Sequence, residues 1–283
     1  TGCTPRGEQA TQPAATAGQA ASAVGAPRVE RLQLTASATG HVHEIDIFRP
    51  STPPPPGGFP VVVLLDGNRV SHVIRAALTS GQRIRAVYVT VGYRGDQAHA
   101  VRERALDYTP AVEPGIRSPD PLDATRQNGG AHDFRLFLEQ YVKPEVSRRV
   151  PVDWGDSTLW GHSYAGLFVL TAMLDEPSAF ARYVVADPSL WWRDAFVYQR
   201  LMRESPGAPV QLTLLEANAE LEPASHARDP AQVAHRQRLQ AALPAGAHER
   251  IALRWNAAHR YYPEHHHGSL FERSLGELLG APR

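Results

Sequence analysis

A serine flanked by small residues lies just past the middle of the chain, in Trp160-Gly161-His162-Ser163-Tyr164-Ala165-Gly166. Gly161 and Ala165 stand two positions before and after Ser163, so the chain can turn sharply there. A predicted strand before the turn and a predicted helix after it complete the context of a nucleophile elbow, in which a serine hydroxyl is presented to an acyl carbon. Ala165 departs from the usual glycine. The alternative, a serine that caps a helix, has no need of a glycine two residues earlier.

A general base for Ser163 is expected downstream, because triads in such folds run in the order serine, acid, histidine. Of the 13 histidines, His267 stands in Glu264-His265-His266-His267-Gly268-Ser269, before the last predicted helix. We therefore predict that His267 is the base. Three consecutive histidines also raise the possibility of a metal, but adjacent side chains diverge and no His-Glu-x-x-His or other ligand spacing is present. No metal is predicted, and His162 is interpreted as a structural residue that points into the fold.

The acid that orients the histidine is expected after the predicted strand Val210 to Leu215. Glu220 is the preferred candidate, because it lies just past that strand in the loop Asn218 to Glu222. Other carboxylates compete for this role: Glu216, Glu222 and, less directly, Asp187.

An oxyanion hole requires two preorganised backbone donors. The amide of Tyr164, directly after the nucleophile, is one candidate. The other is Asn68, in the turn Asp66-Gly67-Asn68-Arg69 that follows the apolar run Val61 to Leu65. The same turn would also serve as an ordinary strand-to-helix connection.

Short continuous apolar runs, typical of strands buried on both faces, alternate with helical patterns along the chain. Together they predict an α/β fold with a mostly parallel, doubly wound sheet and helices on both faces, the α/β-hydrolase fold. Val29 to Ser37 and His41 to Arg49 predict an antiparallel edge pair, and Arg250 to Trp255 is interpreted as the final strand. The stretch Gly92 to Gly130 is expected to be a long functional loop. The apolar runs are 61–65, 84–91, 157–160, 183–186 and 210–215, and the helical patterns are 134–141, 167–174 and 269–279.

Length and composition limit the classes of function. The chain has 283 residues, enough for one large domain, and 29 basic residues balance 29 acidic ones, so no net charge attracts nucleic acid. The single cysteine, Cys3, excludes an internal disulfide and a cysteine-based zinc site.

Thr1-Gly2-Cys3 resembles the end of a bacterial lipoprotein signal, although the tripeptide can also arise by accident. We expect a flexible tether over residues 1–28, a catalytic domain over 29–283, and a periplasmic or cell-envelope location in which membrane contact would occur only through a lipid on Cys3.

In order and spacing, several motifs together resemble the esterase D-type α/β-hydrolases, and within them the periplasmic esterases that open the trilactones enterobactin and salmochelin. The resemblance covers about residues 40 to 280. Its motifs are Leu64-Leu65-Asp66-Gly67-Asn68, Val91-Gly92-Tyr93, Arg104 with Asp107-Tyr108-Thr109-Pro110, Leu159 to Tyr164 with Gly166-Leu167-Phe168, Asp187-Pro188-Ser189-Leu190-Trp191, and His267-Gly268.

This resemblance implies that Ser163 and His267 are the catalytic pair and that Asn68 and Tyr164 supply the oxyanion amides. It also implies that Arg104 contacts an anionic substrate. Arg94, earlier in the same loop, is a second candidate cation, and the alternative for Arg104 is an ion pair with Asp107 that braces the loop. Ala165 and Asp187 depart from the family pattern, in which a serine is common before Pro-Ser-Leu-Trp.

The function expected from these observations is hydrolysis of a catecholate siderophore trilactone through an acyl-enzyme. No cofactor is expected, and iron would enter only as part of the substrate, a small-molecule ester. Two other functions stay open: a general carboxylesterase or acyltransferase, and a catalytically inactive binding module.

Overall fold

The structure is a computed structural model that describes residues 28–95, 100–205, 209–221, 234–235 and 238–280. Cys3, nearly all of the predicted tether and Glu222 lie outside the described residues, so the expectations that concern them stay predictions. The folded part begins one residue earlier than expected, because Arg28 already belongs to the first strand.

In the described part of the chain, eight strands form one sheet in the order β1-β2-β4-β3-β7-β8-β9-β10. β1 and β2 are antiparallel to each other and β2 is antiparallel to β4, whereas the other neighbours are parallel. This confirms the predicted edge pair and the mostly parallel sheet. The strands are β1 Arg28–Thr35, β2 Val42–Arg49, β3 Phe59–Leu64, β4 Val87–Tyr93, β7 Val152–His162, β8 Arg182–Ala186, β9 Gln211–Ala217 and β10 Ala258–Tyr262.

Helices cover both faces of the sheet, as predicted, and each face has its own apolar core. Phe134 and Phe168 are buried in one core, and Ile74 and Phe271 are buried in the other. None of the described helices is both long and apolar enough to cross a membrane. The helices are α1 Gly67–Thr79, α2 Val101–Asp107, α3 Ala131–Phe137, α4 Lys143–Arg149, α5 Tyr164–Asp175, α6 Trp192–Arg203, α7 Ala247–Trp255 and α8 His267–Gly280, with a π-helical turn Leu138–Val142 between α3 and α4.

Two sequence predictions about secondary structure were wrong. The run Arg250 to Trp255 is part of helix α7, because Ile251 and Trp255, four residues apart, bury one helical face. The last strand is β10, which follows it. The stretch Gly92 to Gly130 is not a plain loop, since it holds α2 and the short ribbon β5 Ser118–Pro119 and β6 Gln127–Asn128.

The parallel register brings the functional turns to one edge of the sheet. Leu64 of β3 pairs with Trp160 of β7, and His162 of β7 pairs with Ala186 of β8. The turns after these strands therefore lie side by side at the carboxyl ends of the strands, where ligands bind in open α/β sheets.

Candidate active site

Ser163 occupies a strained turn between β7 and α5. Its backbone has φ 59° and ψ −121°, a conformation that costs energy for any residue with a side chain. A Cβ at Gly161 would lie 2.4 Å from the carbonyl oxygen of Ala165, so only glycine fits there. Ala165 itself is fully buried in the core, where its methyl group is accommodated. The structure thus places Ser163 in the sharp strand–turn–helix geometry that the sequence predicts.

His267 is held by a carboxylate from the turn after β8. Its Nδ1 lies 2.5 Å from Oδ2 of Asp187, and Oδ1 of Asp187 accepts a hydrogen bond of 3.3 Å from the Ala217 amide. Burial raises the pKa of Asp187, but the hydrogen bond and charge of His267 outweigh burial and lower the pKa below its usual value. Asp187 therefore stays ionised and fixes the proton of His267 on Nδ1, which leaves Nε2 free to act as a base.

Glu220 does not hold this position, which corrects the sequence expectation. It lies in the exposed 3₁₀ turn Ala219–Leu221, where its amide donates to Oδ1 of Asn218. The strand that delivers the acid is β8 rather than β9, and Asp187 is the first residue after β8. Glu216 is also committed elsewhere, since His248 and His259 bind its two oxygens. The departure from serine at position 187 was the sequence signal that could have identified the acid.

The nucleophile and the base face one cavity of about 540 Å³, which Ser163, Asp187 and His267 line together. In this conformation Oγ of Ser163 lies 3.3 Å from Oγ of Ser189. His162 points into the fold, as expected, and its Nε2 donates to the carbonyl oxygen of His267 at 2.8 Å. Burial, together with the charge of His267, lowers the pKa of His162 well below its usual range, so the ring is neutral and anchors the backbone of the base.

The turn after β3 is tied firmly to the end of β4. The side chain of Asn68 donates to the carbonyl oxygen of Tyr93 and accepts from the Tyr93 amide, both at 2.7 Å. The side chain is thus fully used, whereas the backbone amide lies in the first turn of α1, where no intrahelical acceptor exists. A Cβ at Gly67 would lie 2.6 Å from the Gly92 nitrogen, which explains the paired glycines. The candidate oxyanion donors are the amide of Tyr164, which opens α5 directly after Ser163, and the amide of Asn68, in the first turn of α1. The strands that precede these two turns, β7 and β3, are neighbours in the sheet.

Arg104 braces this turn by pairing with Asp66, a partner that was not predicted from the sequence. Its Nε and one terminal nitrogen donate to the two carboxylate oxygens of Asp66 at 2.7 and 2.9 Å. Tyr108, one turn further along the chain, accepts a hydrogen bond of 3.1 Å from the Asp66 amide through its hydroxyl. The expected alternative pair with Asp107 is not formed, because Asp107 binds His41. Arg104 nevertheless lines the cavity, with 14% of its side chain exposed.

The second predicted cation, Arg94, is exposed, and its amide donates to Val42. Among the described residues that line the cavity, Arg126 takes the place expected of Arg94. Arg126 follows Asp123 in the turn before β6 and binds its carboxylate at 3.1 Å, with 27% of the side chain exposed. No sequence motif distinguished Arg126, since it depends on the folding of a stretch interpreted as loop.

Comparisons with known proteins agree with this geometry. The model of the Esterase family matches residues 36–262. The ferri-bacillibactin esterase of Bacillus subtilis is 34% identical over 193 residues, which are 65% of this chain and 66% of that protein. The apo-salmochelin esterase of Escherichia coli is 37% identical over 143 residues, 50% of this chain and 45% of that protein. The matched segments thus span about half to two thirds of these relatives.

A solved structure of the enterobactin hydrolase IroE in complex with DFP superimposes on this chain with a TM-score of 0.66. The two sequences are 26% identical, and the superposition covers 90% of this chain and 96% of that one.

Proposed function

We propose that this chain, which belongs to the Esterase family, is a serine esterase that hydrolyses siderophore esters through an acyl-enzyme. One observation carries the proposal: Ser163, on its strained elbow, lines the same cavity as the hydrogen-bonded pair His267 and Asp187. A nucleophile, a histidine base and an acid that fixes the histidine tautomer are the parts that acyl transfer to serine requires.

In this mechanism, Nε2 of His267 takes the hydroxyl proton of Ser163 as Oγ attacks the ester carbonyl. The negative charge that develops on the carbonyl oxygen is stabilised by the amides of Tyr164 and Asn68. His267 then gives the proton to the departing alkoxide, which leaves an acyl group on Ser163. Water, deprotonated by His267, hydrolyses the acyl-enzyme, and the proton returns to Ser163. Asp187 stays ionised throughout and stabilises the imidazolium.

The names of the relatives support a siderophore as the source of the ester, and we propose a catecholate trilactone. The cavity of about 540 Å³ has the size of a small-molecule site. A catecholate that holds ferric iron is anionic, whereas the chain has no net charge. Selectivity therefore requires a cation at the cavity. Arg126 lies there, whereas the charge of Arg104, which also lines the cavity, is paired with Asp66.

The test combines covalent labelling with a comparison of substrates. A fluorophosphonate probe should modify wild-type protein at Ser163, as peptide mass spectrometry would show, and should not modify Ser163→Ala. Chromatography would then follow hydrolysis of iron-free and ferric enterobactin, with p-nitrophenyl butyrate as the neutral ester. Turnover of the trilactone by wild type, and its loss in Ser163→Ala, would support the proposal.

Other results would overturn all or part of the proposal. Turnover of p-nitrophenyl butyrate alone would identify a general carboxylesterase. Transfer of the acyl group to an added alcohol in preference to water would identify an acyltransferase. Tight binding of the siderophore without labelling or turnover would identify an inactive binding module.

A further inference from the structure

Three potential metal ligands, His41, His43 and Asp107, lie together where β2 begins. None of them is among the described residues that line the Ser163 cavity. His41 directly precedes β2 and His43 is the second residue of β2, so the two side chains share one face of the extended chain. Asp107, the last residue of α2, faces both of them. One ligand atom from each residue can be chosen so that all three lie within 4.8 Å of one another.

The distances suit a common ion. Nδ1 of His41 lies 3.0 Å from Oδ2 of Asp107, and Nε2 of His43 lies 3.6 Å from the same oxygen. Ligand atoms of a tetrahedral Zn²⁺ ion, bound at about 2.0 to 2.2 Å, are roughly 3.3 to 3.5 Å apart. The two distances to Asp107 therefore suit a common ion, and the third, between the two histidines, is at most 4.8 Å.

The ring of His43 supplies the independent observation. It is fully buried, and Nδ1 lies 3.2 Å from the carbonyl oxygen of Gly92, to which it can only donate. With the proton on Nδ1, Nε2 carries a lone pair, and this buried atom has no hydrogen-bond partner among the residues that the structure describes. Nε2 lies 3.6 Å from Oδ2 of Asp107, also buried, so an acceptor atom of the ring lies beside an anionic group.

The ring of His43 packs against the rings of Tyr93, Phe134 and Phe137, with centroids 4.9, 5.3 and 4.5 Å away. A metal ion would bind the lone pair of Nε2 and the carboxylate of Asp107 together. A histidine ligand commonly donates its other nitrogen to a backbone carbonyl, as His43 does to Gly92.

We propose that His41, His43 and Asp107 bind one divalent first-row transition-metal ion, best matched by Zn²⁺, with water as the fourth ligand. Two imidazoles and a carboxylate suit Zn²⁺, whereas Mg²⁺ and Ca²⁺ prefer oxygen ligands alone. His41 has 20% of its side chain exposed and provides the path of entry. The ion joins the start of β2 to the end of α2, the helix from which Arg104 holds Asp66. Its role is structural, and Ser163 chemistry does not pass through it.

The first experiment uses tag-free protein stripped with a chelator and titrated calorimetrically with Zn²⁺ in siderophore-free buffer. Wild type should bind one ion at this site with micromolar or tighter affinity, and the melting temperature should rise with Zn²⁺ but not with Mg²⁺. Co²⁺ should give the intense visible absorption of a four-coordinate ion with nitrogen and oxygen ligands. This spectrum needs no variant, so it tests the site even if substitutions disturb folding.

The second experiment assigns the ligands. His41→Gln, at the partly exposed ligand, and Asp107→Asn should each weaken Zn²⁺ binding at least tenfold and remove the thermal shift. His259→Gln, in the cluster with Glu216 and Glu249, and His265→Gln, in the histidine run, are matched controls that should bind as wild type does. Unchanged binding in His41→Gln, a loss confined to a control variant, or the weak spectrum of octahedral Co²⁺ would each overturn the proposal. Because the readouts are binding and stability, they do not depend on esterase activity.

Discussion

His267 and Asp187 are joined by a 2.5 Å hydrogen bond between Nδ1 and Oδ2, although 80 residues separate them in the chain. Asp187 is the first residue after β8, and His267 is the first residue of α8, which follows β10. The two residues can meet because β8 and β10 end at the same carboxyl edge of the sheet, and each residue lies in the chain that follows one of these strands. Asp187 also has φ 43°, a left-handed conformation that ends the extended geometry of β8.

Replacement of the aspartate tests its role as the acid. Asp187→Asn should lower kcat/KM by about 10²- to 10⁴-fold, because an amide cannot stabilise the imidazolium and permits the wrong tautomer. Glu220→Gln, on the exposed turn, is the matched control and should change kcat/KM less than twofold. Steady-state kinetics on p-nitrophenyl butyrate, with melting temperatures for all three proteins, would check this. A larger loss in Glu220→Gln than in Asp187→Asn would restore the assignment made from the sequence.

The acid limb of the pH profile should report a single proton. The pKa of Asp187 and the pKa of His162 are both lowered, so each group binds its proton only at more acidic pH than usual. Neither group should therefore add a proton to the acid limb, and log kcat/KM should fall with a slope of one as pH falls. A neutral ester is the proper substrate, because a catecholate titrates itself. A slope of two over the first two decades of lost activity would show that a second group titrates with the base.

Arg104→Ala should destabilise the site and should therefore lower activity on every substrate, not on the anionic substrate alone. The guanidinium and the Asp66 carboxylate are both largely buried, and loss of one partner of such a pair costs about 3 to 5 kcal/mol. The melting temperature should fall, and kcat/KM should fall by similar factors for ferric enterobactin and p-nitrophenyl butyrate, because the turn that carries Asn68 loses its brace. Arg104→Lys should recover part of the stability. A loss confined to the ferric substrate, at unchanged melting temperature, would instead assign Arg104 to substrate binding.

Arg126→Ala should show the opposite pattern. This guanidinium lines the cavity and is partly exposed, and its ion pair with Asp123 contributes little to stability. We expect kcat/KM for ferric enterobactin to fall about tenfold, the size of one charged hydrogen bond, with p-nitrophenyl butyrate and the melting temperature unaffected. Asp123→Asn is the matched control, because it removes the ion pair but keeps Arg126. Its kcat/KM for the anionic substrate should be equal to that of wild type or higher. Equal losses on both esters in Arg126→Ala would contradict a role in selectivity.

The features that depend on residues close together in the sequence, such as the parallel strands and the nucleophile elbow, were predicted correctly. Continuous apolar runs gave the parallel strands, and Gly161 marked the elbow because a Cβ there would meet the backbone of Ala165. The helix α7 was mistaken for a strand because its apolar residues lie in a run too short to distinguish a period of 3.6 from a period of 2. The structure of the stretch Gly92 to Gly130 was missed for a related reason, since the seven residues of α2 are too few for a clear helical pattern.

The sequence by itself determined the sheet, the nucleophile turn, the histidine loop and the family, because these follow from local periodicity, steric limits at glycine and ordered motifs. Only the tertiary structure decided which side chains become partners: Asp187 rather than Glu220 with His267, Asp66 rather than Asp107 with Arg104, and Asp107 with His41 and His43. Each of these pairs joins different elements of the fold. The order of strands in the sheet sets their distance, and spacing along the chain does not encode it.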